Sequence, residues 1–174
     1  MKSEKFWQQV LSDVVGNAIS GVIIAALAFF TIDQFYKTPD LNGLWELETQ
    51  VTGTSYKPFD KLKVKYQIVL IQDELKLSGT GEKFSEKSAG DGVIKELSGK
   101  SRTPIKLKGY IEKNLFTKNT VVLTVEEEGS IRKSSTFYRL NEVSDDRMEG
   151  EFDSTIAMSR GNAIWSRLKP NKKR

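Results

Sequence analysis

The sequence predicts an all-β domain, an eight-stranded antiparallel up-and-down barrel of lipocalin-like form, preceded by one N-terminal transmembrane α-helix. Three observations carry this prediction. Apolar residues alternate with period two from Leu44 onward, brief polar turns join most of the alternating segments, and the run Val14 to Ile32 holds no charged side chain although 29% of the chain is charged.

The apolar run comes first. Its nineteen residues would reach about 28 Å as a helix, close to the roughly 30 Å thickness of bilayer hydrocarbon. A cleavable signal peptide competes through Ala26-Leu27-Ala28, but the run continues through Phe29, Phe30 and Ile32, and the leader before it contains Glu4 and Asp13. A buried soluble helix fits poorly, because the run is apolar on every face. Phe6 and Trp7 on one flank, with Phe35 and Tyr36 on the other, are placed like interfacial aromatic belts. Gly21 and Ala25 lie four apart, and Asn17 falls one turn earlier. This stripe predicts self-association in the membrane, although small residues are also common in any such helix. Lys2 and Lys5 favour an inside N-terminus, whereas Lys37 and the lysine-rich domain after it favour a cytoplasmic barrel.

Pro39 in "KTPDLNG" ends the helix, so we divide the chain into an anchor and linker (1–39), a barrel domain (40–169) and a basic tail (170–174). The predicted strands are "GLWELETQ", "KLKVKYQIVL", "ELKLSG", "PIKLKGYI", "NTVVLTVEE", "IRKSSTFYRL", "RMEGEFDS" and "GNAIWSRL". One-sided alternation also suits a sandwich, but closing a meander removes both raw edges. Gly79, Gly81, Gly109 and Gly150 fall inside strands, where closure needs bends or close approach. In a meander, the segments 51–61, 84–102, 127–131 and 154–161 share one end, and the anchor joins the other. The long segment 84–102 is then a lid over the far mouth.

The strand "IRKSSTFYRL" differs from the rest. Counting in twos from Leu140 puts Tyr138, Thr136, Ser134 and Arg132 on one face and Phe137 on the other. If the first set points inward, hydroxyls and a guanidinium line the hollow and need internal partners, water or a ligand. If Phe137 points inward, the polar set faces water. Arg132, Arg160, Arg102 and Lys83 map to or near the far mouth, enough cations for two phosphates. Trp45, Tyr66, Tyr110 and Trp165 are candidate stacking surfaces, with core packing the rival for the tryptophans. The run Glu126 to Glu128 reads as a solvated strand edge rather than an acid/base pair.

Composition removes whole classes of chemistry. The chain has no cysteine and no histidine, which excludes disulfides, thiolate nucleophiles, imidazole bases and most zinc sites. It contains no Walker loop, Rossmann glycine fingerprint or nucleophile elbow, so it reads as a non-enzyme without metal or cofactor. The net charge of +4 mixes 27 basic with 23 acidic residues, and the tail "KPNKKR" reads as a solvated end, so no nucleic acid polymer is expected as a partner.

Together, the N-terminal apolar segment, "GLWELE", "QDELKLSGTGEK", "RTPIKLKGYI", "R..S.FYRL" and "EGEFDST....RGNAIW" resemble the membrane-anchored barrel effectors of bacterial cyclic-oligonucleotide anti-phage signalling (CBASS), which are STING-like in logic. The resemblance implies a receptor in the bacterial inner membrane whose barrel, on the cytoplasmic side, binds a cyclic dinucleotide second messenger. Binding then promotes homo-oligomerisation and disruption of the membrane. Family members usually carry two membrane helices, and this sequence has one run of sufficient length. Under this receptor reading, the ligand contacts would come from the inward-counted Arg132, Ser134, Thr136 and Tyr138, with Arg160 and Lys83 at the rim. Two other classes remain: a tethered envelope barrel holding a small apolar ligand against a charge-free inner wall, and an assembly protein with a filled interior that docks a partner on its rim.

Overall fold

The computed structural model describes residues 15, 18–29, 38–88, 90, 92–114, 117–129 and 132–169. The chain divides into two compact units, Met1–Lys37 and Thr38–Arg174. In the first, residues 18–29 form a helix whose apolar side chains, from Ile19 to Phe29, are exposed. Its twelve residues span about 18 Å. Among the described residues, no helix is long and apolar enough to cross a membrane. The rest of the predicted span, Val14, Gly16, Asn17, Phe30, Thr31 and Ile32, lies outside the described residues. Gly21 and Ala25 both lie in this helix.

The second unit is a closed eight-stranded antiparallel barrel with one additional short strand. In chain order the strands are β1 (Gly43–Gly53), β2 (Lys63–Asp73), β3 (Lys76–Lys87), β4 (Ile94–Glu96), β5 (Thr103–Glu112), β6 (Thr120–Glu128), β7 (Lys133–Ser144), β8 (Arg147–Ser154) and β9 (Ser159–Arg167). Each principal strand pairs with its neighbours in sequence, and β1 closes the barrel against β9, with Leu47 opposite Trp165 and Thr49 opposite Ala163. Closure leaves the eight principal strands without a free edge.

Period-two burial follows from the pleat. On β1, Trp45, Leu47, Thr49 and Val51 are buried, and on β2 Val64, Tyr66, Ile68 and Leu70 are buried against the same core. Glycines allow the close approach of strands. A Cβ at Gly109 would lie 2.0 Å from the Val122 carbonyl oxygen, and one at Gly150 would lie 2.0 Å from that of Arg139.

The two ends of the barrel differ. At one, Leu41 is completely buried, its N–H donating to Gln72 Oε1 (2.7 Å) and its carbonyl accepting from Trp45 Nε1 (3.0 Å). The Arg167 guanidinium sits 4.6 Å from the Trp45 ring centroid and donates to the carbonyls of Asp40 and Asn42. The incoming chain therefore plugs this end. The other end carries the connections 54–62, 88–102, 129–132 and 155–158, the grouping expected of a meander.

The predicted lid is partly strand. β3 runs on to Lys87, and β4 folds back to pair Ile94 with Lys87 and Glu96 with Ser85. The Leu97 N–H donates to the Phe84 carbonyl (2.7 Å), and Ser98 and Ser101 form a reciprocal capping box on a single 3-10 turn.

Candidate functional site

The connection-bearing end of the barrel opens into a cup of about 140 Å³. Its apolar lining comes from Val51, Val64 and Phe152 on the strands and from Phe59, Leu62 and Ile156 on the connections at the mouth. The polar part is contributed by seven strands: Thr49 on β1, Tyr66 on β2, Lys83 and Glu86 on β3, Glu127 on β6, Thr136 and Tyr138 on β7, Ser154 on β8 and Ser159 on β9.

Glu127 stands at the centre of that polar group. It continues the inward series Val121, Leu123, Val125, and its side chain is only 13% exposed. One carboxylate oxygen accepts from the Tyr66 hydroxyl (3.1 Å), and the other lies 3.2 Å from Lys83 Nζ. Lys83, itself 19% exposed, also reaches Glu86 Oε2 (3.6 Å), whose second oxygen lies 3.7 Å from Lys95 Nζ. One ammonium thus faces two carboxylates in the wall, and Lys95 approaches from solvent.

The β7 ladder turns inward. Ser134 and Tyr138 are buried, Tyr138 to 2% exposure, whereas Phe137 is 46% exposed. Thr136 Oγ1 donates to Ser154 Oγ (2.9 Å). The Tyr138 ring packs edge-on to Trp165 at 6.1 Å and beside Phe152 at 5.8 Å. No hydrogen bond among the described residues engages the Tyr138 hydroxyl. The hydroxyl is open to the cup, where water or a ligand can meet it; the buried side-chain polar atom left without a partner among the described residues is Trp165 Nε1. Ser134 lies opposite Glu127 in the β6–β7 register.

Burial raises the pKa of both phenols. Tyr66 is pushed well above the usual tyrosine range by desolvation first, then by Tyr138 and the Glu127 charge, and Tyr138 rises through desolvation and the same carboxylate. In an unfolded chain both would ionise near pH 10, so above that pH the folded state holds more protons. The stability they contribute is full below about pH 10 and falls as pH rises past it. In an alkaline absorbance titration, Tyr66 and Tyr138 should appear as a late class that ionises only as the β-sheet circular dichroism collapses. Reversible ionisation of every tyrosine near pH 10 with the sheet intact would contradict this burial.

The cations expected at the mouth are mostly elsewhere. Lys83 is in the cup. Arg160 is not: β9 alternates Ser159 in, Arg160 out and Gly161 in, and the Arg160 side chain lies over Gly53 on the outer wall, in a shallow groove with Thr52, Asp153 and Asn162. Arg102 also leaves the mouth, pairing with Glu82 and donating to the Leu97 carbonyl (3.1 Å). Arg132 is exposed in the connection before β7 and does not line the cup. Trp45 and Trp165 are fully buried in the core, and Tyr110 is 51% exposed, so of the four candidate stacking aromatics only Tyr66 lines the cup. A charge-free wall is not found, because Lys83, Glu86 and Glu127 line it; nor is the interior filled throughout. Asn17 lies outside the described residues.

Sequence reasoning missed Glu127 and Glu86. The β6 alternation itself carries Glu127 inward, a signal obscured by the acidic run around it. Glu86 had no such signal, because a register shift between Lys65 and Tyr66 changes the parity of β3 beyond Lys83. Among the described residues, no group of three or more His, Cys, Asp or Glu could hold a metal ion.

No known protein family matches the sequence, and no curated protein does. Among solved structures, a redesigned β-barrel is similar with a TM-score of 0.46 and 14% identity, over 74% of this chain and 92% of that one. A second redesigned β-barrel, mFAP1, solved bound to DFHBI, has a TM-score of 0.46 and 11% identity, over 79% of this chain and 99% of that one. Likeness at this level carries no argument, and the barrel rests on the strand pairings of the chain itself.

Proposed function

We propose that the protein is a membrane-tethered receptor for a cyclic dinucleotide and that one nucleobase of the ligand enters the barrel cup. The observation that carries this reading is the inward polar ladder, with the Tyr138 hydroxyl engaged by no other side chain and open to a cup of about 140 Å³. A cavity near 150 Å³ accommodates a benzene ring, so the cup takes the edge of one base and not a whole cyclic dinucleotide. The two carboxylates facing a single ammonium oppose entry of phosphate. The phosphates then stay outside, where exposed Arg132 at the same end of the barrel can meet one of them. The anchor is the apolar run Val14 to Ile32 in the bacterial inner membrane, with the barrel cytoplasmic. Ligand binding promotes self-association through the stripe Asn17, Gly21 and Ala25, and the assembled helices compromise the membrane.

Calorimetry on the full chain in detergent micelles, with a panel of cyclic di- and trinucleotides, tests the receptor. A cyclic dinucleotide should bind, and Tyr138→Phe should weaken it about tenfold, or 1.4 kcal/mol, within the range for one hydrogen bond. Absence of heat from the whole panel at high micromolar concentration would remove the reading. A reporter active on one side of the membrane only, fused after Arg174, tests placement. A signal from the periplasmic side would separate the barrel from any cytoplasmic messenger.

A further inference from the structure

We propose that Lys83 and Glu127 together read the Watson–Crick edge of guanine, so that the cup selects a guanine-containing ligand over an adenine-containing one. This inference rests on the receptor reading above and names the base that the cup accepts. Lys83 Nζ lies 3.2 Å from Glu127 Oε1, and Oε2 is the neighbouring atom, held by the Tyr66 hydroxyl at 3.1 Å. A ligand entering the cup therefore meets a donor, an acceptor and a second acceptor side by side. Guanine presents the complement: the O6 acceptor, the N1–H donor and the N2–H donor.

Each oxygen of an ionised carboxylate has more than one acceptor position, so both can receive a base N–H while keeping Lys83 and Tyr66. The carboxylate is also fixed before the ligand arrives, which lowers the ordering cost of binding. Adenine reverses the pattern. Its N6 amino group would face the Lys83 ammonium, donor against donor, and its N1 lone pair would face the carboxylate. Mismatch of this kind leaves buried polar groups unpaired and gives strong discrimination. Independently, the Tyr138 hydroxyl is open to the same cup and engaged by no other side chain, so it can donate to a further acceptor on the ligand.

The test uses the full chain in detergent micelles and three ligands: cyclic di-GMP, cyclic di-AMP and cyclic di-IMP, whose hypoxanthine lacks the N2 amino group. We expect cyclic di-GMP to bind tightest, cyclic di-IMP at least about tenfold weaker, and cyclic di-AMP at least about a hundredfold weaker. Glu127→Gln replaces one acceptor with a donor and should erase or invert the preference for guanine over adenine. If that variant does not fold by circular dichroism, the cyclic di-IMP comparison on the unaltered protein still decides. Equal affinity for the three ligands, tighter binding of cyclic di-AMP, or a folded Glu127→Gln variant with unchanged selectivity would each overturn the guanine assignment while leaving the receptor standing. No binding of any of the three, with another cyclic nucleotide bound, would also overturn it. Silence from every cyclic nucleotide would take the receptor reading down as well.

Discussion

Gly109→Ala should destabilise the barrel by about 3 kcal/mol or more, beyond the ordinary cost of overpacking because the obstacle is backbone. The new Cβ would stand 2.0 Å from the Val122 carbonyl oxygen and 2.8 Å from Leu123 Cδ2. A flexible side chain could yield. Here a carbonyl of β6 must move, and β6 is held in register with β5 on one side and β7 on the other. For a domain of this size the melting temperature should fall by about 10 °C. Gly90→Ala is the control, since a Cβ there would come no closer than 3.8 Å to the Ser88 hydroxyl; it should stay within about 0.5 kcal/mol. A Gly109→Ala barrel within 1 kcal/mol of the unaltered protein by denaturant titration would mean that the strands do not approach so closely.

Trp45→Ala should cost about 3 to 5 kcal/mol, the range for emptying a large aromatic site. Three losses combine: the buried ring volume, the hydrogen bond that Nε1 gives the Leu41 carbonyl, and the face on which Arg167 rests. The freed Leu41 carbonyl would be left buried without that donor, so amide exchange at Leu41 should accelerate more than exchange in the β6 ladder. A loss below about 1.5 kcal/mol with unchanged Leu41 exchange would show that the incoming chain does not depend on this plug.

Much of the architecture was legible because burial on one face writes itself as alternation. Leu62, Val64, Tyr66, Ile68 and Leu70 predict β2 directly, and the eight predicted segments are the eight strands of the closed barrel. Inward placement of Ser134, Thr136 and Tyr138 was legible in the same way, by counting from Leu140. The site was less so. Arg160 maps to the correct end but the wrong face, which counting outward from Ala163 and Trp165 would have revealed. Glu86 depends on a local register shift between β2 and β3, and no alternation rule announces a bulge. β4 is three residues long, too short for periodicity to register.

These placements shift the expected chemistry of the mouth. Four cations would have drawn phosphates inward, whereas the cup holds Lys83 against Glu86 and Glu127. A base edge, neutral and rich in N–H groups, suits such a wall better than a phosphate does.

The central claim is that a base enters the cup, and tyrosine-ring NMR tests it directly. With ring-labelled tyrosines in the full chain, saturating cyclic dinucleotide should move the Tyr66 and Tyr138 resonances most and leave that of exposed Tyr110, which does not line the cup, nearly unchanged. Bound ligand that shifts Tyr110 while Tyr66 and Tyr138 stay still would place the base on the outside of the barrel and contradict the account.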